Sequence, residues 1–321
     1  MKILVTGGFG YIGSFMVQRL LEDNHEVVIL DKVQKDLFSG RIKSYIGDLL
    51  DKKFVESVFS AESFDAVIHF AGFISMGESM EKPGKYFENN IVGALNILDA
   101  MVKHGIKKFV FSSTAGVYGN PTTTPIPEDH PKNPTNPYGE SKYAVERLLE
   151  WYSQIHGISA VSLRYFNAAG ASIDGQRGED HASESHLIPR AISALLKDED
   201  FMLFGDDYDT PDGTCVRDYI HVLDLAEAHM LALKKLDTQA GNFCYNVGTG
   251  KGYSNKDVLQ MVEKISGQSI KTHIASRRAG DADILVADSS KIQTELGFSP
   301  KFSRLETIVE SAWKYHSGKN A

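Results

Sequence analysis

The chain has 321 residues, 42% hydrophobic and 24% charged, ordinary proportions for a globular protein long enough for a large domain and a smaller companion. A net charge of −8 argues against broad binding to nucleic acid or acidic membrane, and no apolar run reaches the roughly 18 residues of a membrane span. Cys215 and Cys244 have no close pair and no metal-like spacing, so both thiols are expected free in a reducing cytoplasm, and an apolar strand starting at Ile3 leaves no room for a signal peptide.

In chain order, short apolar runs alternate with helical patterns, the signature of an α/β chain with a doubly wound parallel sheet. Predicted strands are Lys2 to Thr6, Glu26 to Leu30, Ala66 to Phe70, Lys108 to Ser112 and Ser159 to Tyr165. Between them, Phe87, Ile91, Leu95, Leu98 and Val102 form a helical stripe, read as core packing, and Ala144, Leu148 and Tyr152 mark a helix after Tyr138. Residues 171–185 and 205–214 are polar and glycine-containing, as expected of substrate loops beyond the strand ends. Leu223 to Lys235 and Phe243 to Val247 read as a helix and a strand returning to the sheet. The expected organisation is therefore interleaved: a Rossmann-type dinucleotide domain from 1–170 and 219–247, and a smaller α/β substrate domain from 171–218 and 248–321.

Two motifs carry the chemistry. Gly7, Gly8, Gly10 and Gly13 follow the first strand and open a helix with Tyr11 and Ile12, a turn whose backbone amides can approach a pyrophosphate at the positive helix end. Asp31 ends the second strand, where a carboxylate accepts hydrogen bonds from an adenosine ribose and repels a 2′-phosphate, so NAD is favoured over NADP. Asp48 and Leu49 are placed near the adenine, and Phe70, Ala71 and Gly72 give the cofactor room. Tyr138 and Lys142 are one helical turn apart on one face. A tyrosine at its ordinary pKa near 10 is too weak an acid to serve as a base at neutral pH, and Lys142 together with an oxidised nicotinamide is expected to lower it. Tyr138 then removes a hydroxyl proton while hydride leaves the same carbon, with Thr114 bridging Tyr138 and substrate.

These motifs, with Ser112-Ser113-Thr114-Ala115, Arg164-Tyr165-Phe166-Asn167, Leu203-Phe204-Gly205, the run Val216 to Val222 and Arg277 to Asp281, resemble the extended short-chain dehydrogenase/reductase family over nearly the whole chain, and within it the UDP-hexose 4-epimerases. The resemblance implies a redox-neutral cycle: NAD takes hydride from C4 of the hexose, the 4-keto sugar turns over, and hydride returns to the other face. It implies that Asn90, Ser112 and Tyr165 join the cofactor contacts, and that Arg217 and Arg278 grip the diphosphate. It further implies that Asn167, His186, Leu187, Phe204, Tyr219 and Asp281 contact the UDP-sugar, and that the protein is a homodimer paired through the helices of Phe87 to Val102 and of Tyr138.

Departures are Lys32 after Asp31, where many members have Asn, the short segment from Lys32 to Tyr45, and Ile74, where some carry a cofactor-contacting lysine. Leu285 aligns with a bulky tyrosine wall in hexose-only members, and a smaller wall admits an N-acetyl group. Ala115 and Gly116 after Thr114 supply no extra acid or base, which ranks dehydratases and decarboxylases low. UDP-pentose and UDP-uronate 4-epimerases share the C4 chemistry and stay open as alternatives, as does a silent NAD-binding sensor. His181 and His186 lie among Glu179, Asp180 and Glu184 without a familiar zinc spacing, so no metal is expected. His69 and His221 read as satisfied core histidines.

Overall fold

A computed structural model defines residues 1–181, 184–278 and 281–319. The first half runs β1 Lys2–Thr6, α1 Tyr11–Glu22, β2 Glu26–Asp31, β3 Lys43–Ile46, α2 Lys52–Ala61 and β4 Ala66–His69. It continues with α3 Met76–Glu81, α4 Pro83–Phe87, α5 Gly93–Lys103, β5 Lys108–Ser112, α6 Pro137–His156 and β6 Ser159–Tyr165. The second half runs β7 Asn167–Ala169, α7 Leu187–Lys197, β8 Phe201–Phe204, β9 Val216–His221, α8 Val222–Thr238 and β10 Asn242–Val247. It ends with β11 Gly252–Ser254, α9 Asn255–Ser266, β12 Thr272–Ala275, β13 Ile284–Leu285, α10 Ser290–Leu296 and α11 Leu305–Gly318.

Seven strands form one parallel sheet in the order β10-β6-β5-β4-β1-β2-β3. Its strands are apolar runs buried on both faces, as a doubly wound sheet requires. One face packs α1 and α8 over Ile3, Val5, Ile29 and Tyr245. The other packs α2, α5 and α6 over Leu4, Val28, Phe109 and Phe111. The chain leaves β1 towards β2 on one side while β4 lies on the other, so the sheet has its switch point at the carboxyl ends of β1 and β4.

The smaller layer is built on β9, which pairs with β7, β11 and β13, beside a two-stranded β8–β12 sheet. A separate core under α7, α9 and α11 supports it. The four-stranded sheet takes in Asn167–Ala169 and Val216–His221, so it draws strands from both of the expected domains. β9 runs directly into α8, which packs back against α1 and β6, and this joins the two layers covalently and by packing.

The stripe expected to be core is only partly so. A π-turn at Glu88–Val92 rotates the face between α4 and α5, and the buried set becomes Ala94, Ile97, Leu98, Ala100 and Met101. Phe87 stays 36% exposed and Val92 39%.

Behind the carboxyl end of β5 lies a buried polar network. Arg164 on β6 donates from Nη2 to Glu146 of α6 at 2.5 Å and from Nε at 2.9 Å. The Ser113 hydroxyl donates to the same carboxylate. Arg164 also reaches the Tyr118 hydroxyl at 2.9 Å, and Tyr118 donates to Asn246 at 2.7 Å. Removing one partner of such a pair strands a buried charge. Glu146→Ala is expected to cost about 3–5 kcal/mol in urea denaturation, whereas Glu146→Leu/Arg164→Met recovers most of it. Equal stability of Glu146→Ala and wild type would contradict this.

Candidate active site

One cavity runs along the carboxyl ends of the parallel strands, from the glycine-rich turn to the β9 layer. At one end Gly10 caps α1 with no side-chain hydrogen bond, and the first-turn amides of Tyr11, Ile12 and Gly13 have no intrahelical partner. A Cβ on Gly13 would lie 2.1 Å from the Gly7 carbonyl oxygen, so only glycine lets the helix seat on the turn. Gly7, Gly10, Tyr11, Ile12 and Gly13 all line the cavity. The result is an amide-lined cradle that fits the pyrophosphate of NAD. Phe70, Gly72 and Ile74 continue the wall, and Tyr11 donates its hydroxyl to Gly170 O at 2.6 Å.

Five residues expected at the cofactor lie outside this lining. Asp31 accepts from Phe9 N at 3.0 Å and Val33 N at 3.2 Å, fixing the turn beside β2. Asp48 pairs with Lys32 at 3.1 Å, so the departure at Lys32 has a charge partner. Leu49 is buried against Gly93, and Ala71 presses on Gly7. Asn90 spends its amide on Phe73 N at 2.9 Å, Phe73 O at 3.1 Å and Ser141 Oγ at 2.9 Å. It pins the loop after β4 to α6.

The middle of the cavity holds Ser112, Thr114, Tyr138, Lys142 and Tyr165. Asn136 caps α6 by accepting from Gly139 N at 2.9 Å, and Pro137 starts the helix. This register turns both Tyr138 and Lys142 inward. Lys142 is 2% exposed and donates to Ser112 O at 3.0 Å. No carboxylate among the described residues pairs with it, and burial pushes its ammonium down to about 8. Burial also holds the Tyr138 phenol above its ordinary value, with a hydrogen bond from Thr114 acting the other way. Burial is the larger of these two influences, and the lowering expected of Lys142 rests on its acting together with an oxidised nicotinamide. Tyr165 hydrogen-bonds Ser112 Oγ, and its phenol is raised by burial and by Tyr138.

The far end is arranged by β9, whose alternate residues Arg217 and Tyr219 share a face. Leu285 on β13 lies opposite Arg217 and Asn167 on β7 lies opposite Tyr219. All four line the cavity. Arg217 donates to Val216 O at 3.0 Å and stands 3.8 Å from Asp281. The Arg278 guanidinium lies 4.1 Å from the Phe204 ring centre. His186 caps α7 and Leu187 begins it. Sequence reasoning missed Arg190, one turn further along α7, which lines the cavity and faces the same Phe204 ring at 5.7 Å. A lone arginine in an amphipathic helix carries no signal beyond its charge, and only the position of α7 over β8 reveals it.

His69 and His221 are buried structural histidines. His69 shares a hydrogen bond with Thr6 Oγ1 at 2.8 Å, and His221 accepts from Leu223 N at 3.1 Å. Burial pushes them down to about 3 and about 4. No helix among the described residues is long and apolar enough to cross a membrane.

The sequence pattern of the NAD dependent epimerase/dehydratase family matches residues 3–248. A curated relative from Halalkalibacterium halodurans, a UDP-glucose 4-epimerase, is 49% identical over 98% of this chain and 96% of its own. The solved UDP-glucose 4-epimerase of Brucella ovis in complex with NAD superposes with a TM-score of 0.92 at 41% identity, covering 97% of both chains. That of Bifidobacterium longum in complex with NAD+ and UDP gives 0.93 at 38% identity, covering 100% of this chain and 99% of its own. With an amide cradle, a buried tyrosine–lysine pair and a full-length match on the page, the chain belongs to the NAD dependent epimerase/dehydratase family.

Proposed function

We propose that the chain interconverts UDP-glucose and UDP-galactose by epimerising the hexose at C4. The observation that carries this reading is the single cavity that joins the amide cradle, the Thr114–Tyr138–Lys142 group and the arginines of the far wall. NAD held in the cradle would supply a hydride acceptor and donor for C4 and, when oxidised, a positive charge.

Gly7, Gly10, Tyr11, Ile12 and Gly13 hold the pyrophosphate, and Asp31, Asp48 and Leu49 form the adenosine end. Phe70, Ala71, Gly72 and Asn90 shape the wall, and Ser112, Lys142 and Tyr165 flank the nicotinamide end. Tyr138 takes the proton from the 4-hydroxyl and later returns it, with the Thr114 hydroxyl sharing the contact. Because burial raises this phenol, Tyr138 releases its proton only when positive charge is brought close. Base strength is thereby tied to the loaded state. Arg217 and Arg278, with Asn167, His186, Leu187, Phe204, Tyr219 and Asp281, anchor UDP so that only the 4-keto hexose turns. A guanidinium fork suits diphosphate oxygens in charge and in geometry.

Leu285 supports N-acetylhexosamines as further substrates, since it lies on the β13 edge opposite Arg217 and leaves the wall without a phenol. A homodimer is supported by an apolar face left exposed among the described residues: Phe87 and Val92 before α5, and Trp151 and Ile155 on α6, the last two 55% and 67% exposed. These two helices pack side by side, so a second copy lying across both would cover these side chains. Two free cysteines support a cytoplasmic setting.

Three outcomes are expected. Purified protein converts UDP-galactose to UDP-glucose, and Tyr138→Phe lowers kcat by about 10²–10⁴-fold in a coupled dehydrogenase assay; an unimpaired variant removes Tyr138 from the mechanism. Leu285→Tyr lowers the ratio of UDP-GalNAc to UDP-galactose turnover by about tenfold or more; an unchanged ratio sinks the wall argument. Light scattering at micromolar concentration gives twice the chain mass for wild type and the chain mass for Trp151→Glu, and a monomeric wild type removes the dimer.

A further inference from the structure

The loop before α7 brings Glu179, His181, Glu184 and His186 together, with their donor atoms within 4.8 Å of one another. Two imidazoles and two carboxylates suggest a divalent cation, and the distances decide against it. Zinc bonds of about 2.0–2.1 Å place tetrahedral ligands about 3.3 Å apart. His186 Nδ1 and Glu179 Oε1 are 2.5 Å apart, a direct hydrogen bond with no space for an ion between them. The contacts of His181 are longer, 3.4 Å to Glu179 and 3.3 Å to Glu184.

The two partners differ in exposure. Both line the cavity, but the Glu179 side chain is 5% exposed and that of His186 is 43% exposed. With Nδ1 committed to the buried carboxylate, Nε2 on the opposite side of the ring is the nitrogen left to meet a ligand. Glu184 fixes the backbone beneath, accepting from His186 N at 2.8 Å. We propose that Glu179 is a positioning residue for the anion end of the cavity, fixing His186 as an imidazolium whose Nε2–H reaches the diphosphate beside Arg278. The inference rests on the reading of this cavity as a UDP-sugar site.

The surrounding charges agree. Burial opposes the cation on His186, but Glu179 and Glu184 outweigh it and push the ring up to about 9. Glu179, Glu184 and His181 act on it from the loop and Arg278 opposes from across the cavity, while Arg190 of α7 and His316 of α11 feel Glu184, and the Tyr11 phenol of α1 senses both carboxylates. A histidine with a raised value is charged below it and loses its charge as pH rises through it. Anion binding through His186 therefore persists at neutral pH and weakens as pH rises through about 9.

The test is UDP affinity by titration calorimetry from pH 6 to 10, where the ionisation of UDP's own phosphate is common to all variants. Wild type is expected to weaken only near the top of the range. Glu179→Gln should move that fall towards the ordinary histidine value near 6.5, giving binding about tenfold weaker at pH 8 and close to wild type at pH 6. Glu179→Asp should restore the wild-type profile, and His186→Ala should erase the step in either background. Parallel curves for wild type and Glu179→Gln, or a gain in affinity on adding zinc, overturn the positioning role while UDP binding stands. Failure of wild type to bind UDP at any pH overturns the UDP-sugar reading itself, and this inference with it.

Discussion

The register of α6 is the constraint on which the site depends. Tyr138, Lys142 and Glu146 follow one another at four-residue spacing and so share one helix face. The first two enter the cavity and the third enters the buried network with Arg164 and Ser113. Asn136 and Pro137 fix where the helix starts, and Gly139 fixes how closely it lies. A Cβ at Gly139 would stand 2.5 Å from the Gly116 carbonyl oxygen. The helix is thus pressed onto the segment that carries Thr114. The contact that brings Tyr138 to Thr114 is also the contact that seats α6.

The electrostatics of the cavity are uneven, and the unevenness has a cost. Lys142 is buried with a backbone carbonyl as its hydrogen-bond acceptor and no carboxylate among the described residues. Its fall from 10.5 to about 8 means that the ammonium opposes folding by up to about 3 kcal/mol at neutral pH. The sign is that of a lysine lowered on folding: the cost is fully present below about 8 and recedes as pH rises towards 10.5. A neutral side chain there would give a more stable fold and a site without its cation. Such strain is characteristic of catalytic groups. At the far end, Arg217 has a carboxylate, Asp281, nearby and Arg278 lies over the Phe204 ring.

The parts legible in the sequence are those whose geometry is local. β1, the glycine turn and α1 follow from a short apolar run, small residues and a helical pattern within about twenty positions, and the pairing of Tyr138 with Lys142 is a single turn of helix. The β9 layer was not legible as strands. β7, β11 and β13 have two or three residues each and gain their partners from segments far apart, as where Asn167 meets Tyr219. Such pieces show no alternation to read. A periodic pattern cannot say which residues a π-turn will rotate out of the core, which is why Phe87 was misread. Burial was the other missing quantity: spacing pairs Tyr138 with Lys142 but does not show that enclosure itself pushes the phenol up and the ammonium down.

The central claim is that the hydrogen removed from C4 never leaves the cavity, while Tyr138 handles only the hydroxyl proton. Epimerisation of UDP-galactose in D2O, with no NAD added and the product followed by proton NMR, tests it most directly. The expected result is UDP-glucose that keeps protium at C4. Deuterium at C4 of the product would contradict the account, because the hydrogen would then have exchanged with solvent as a proton.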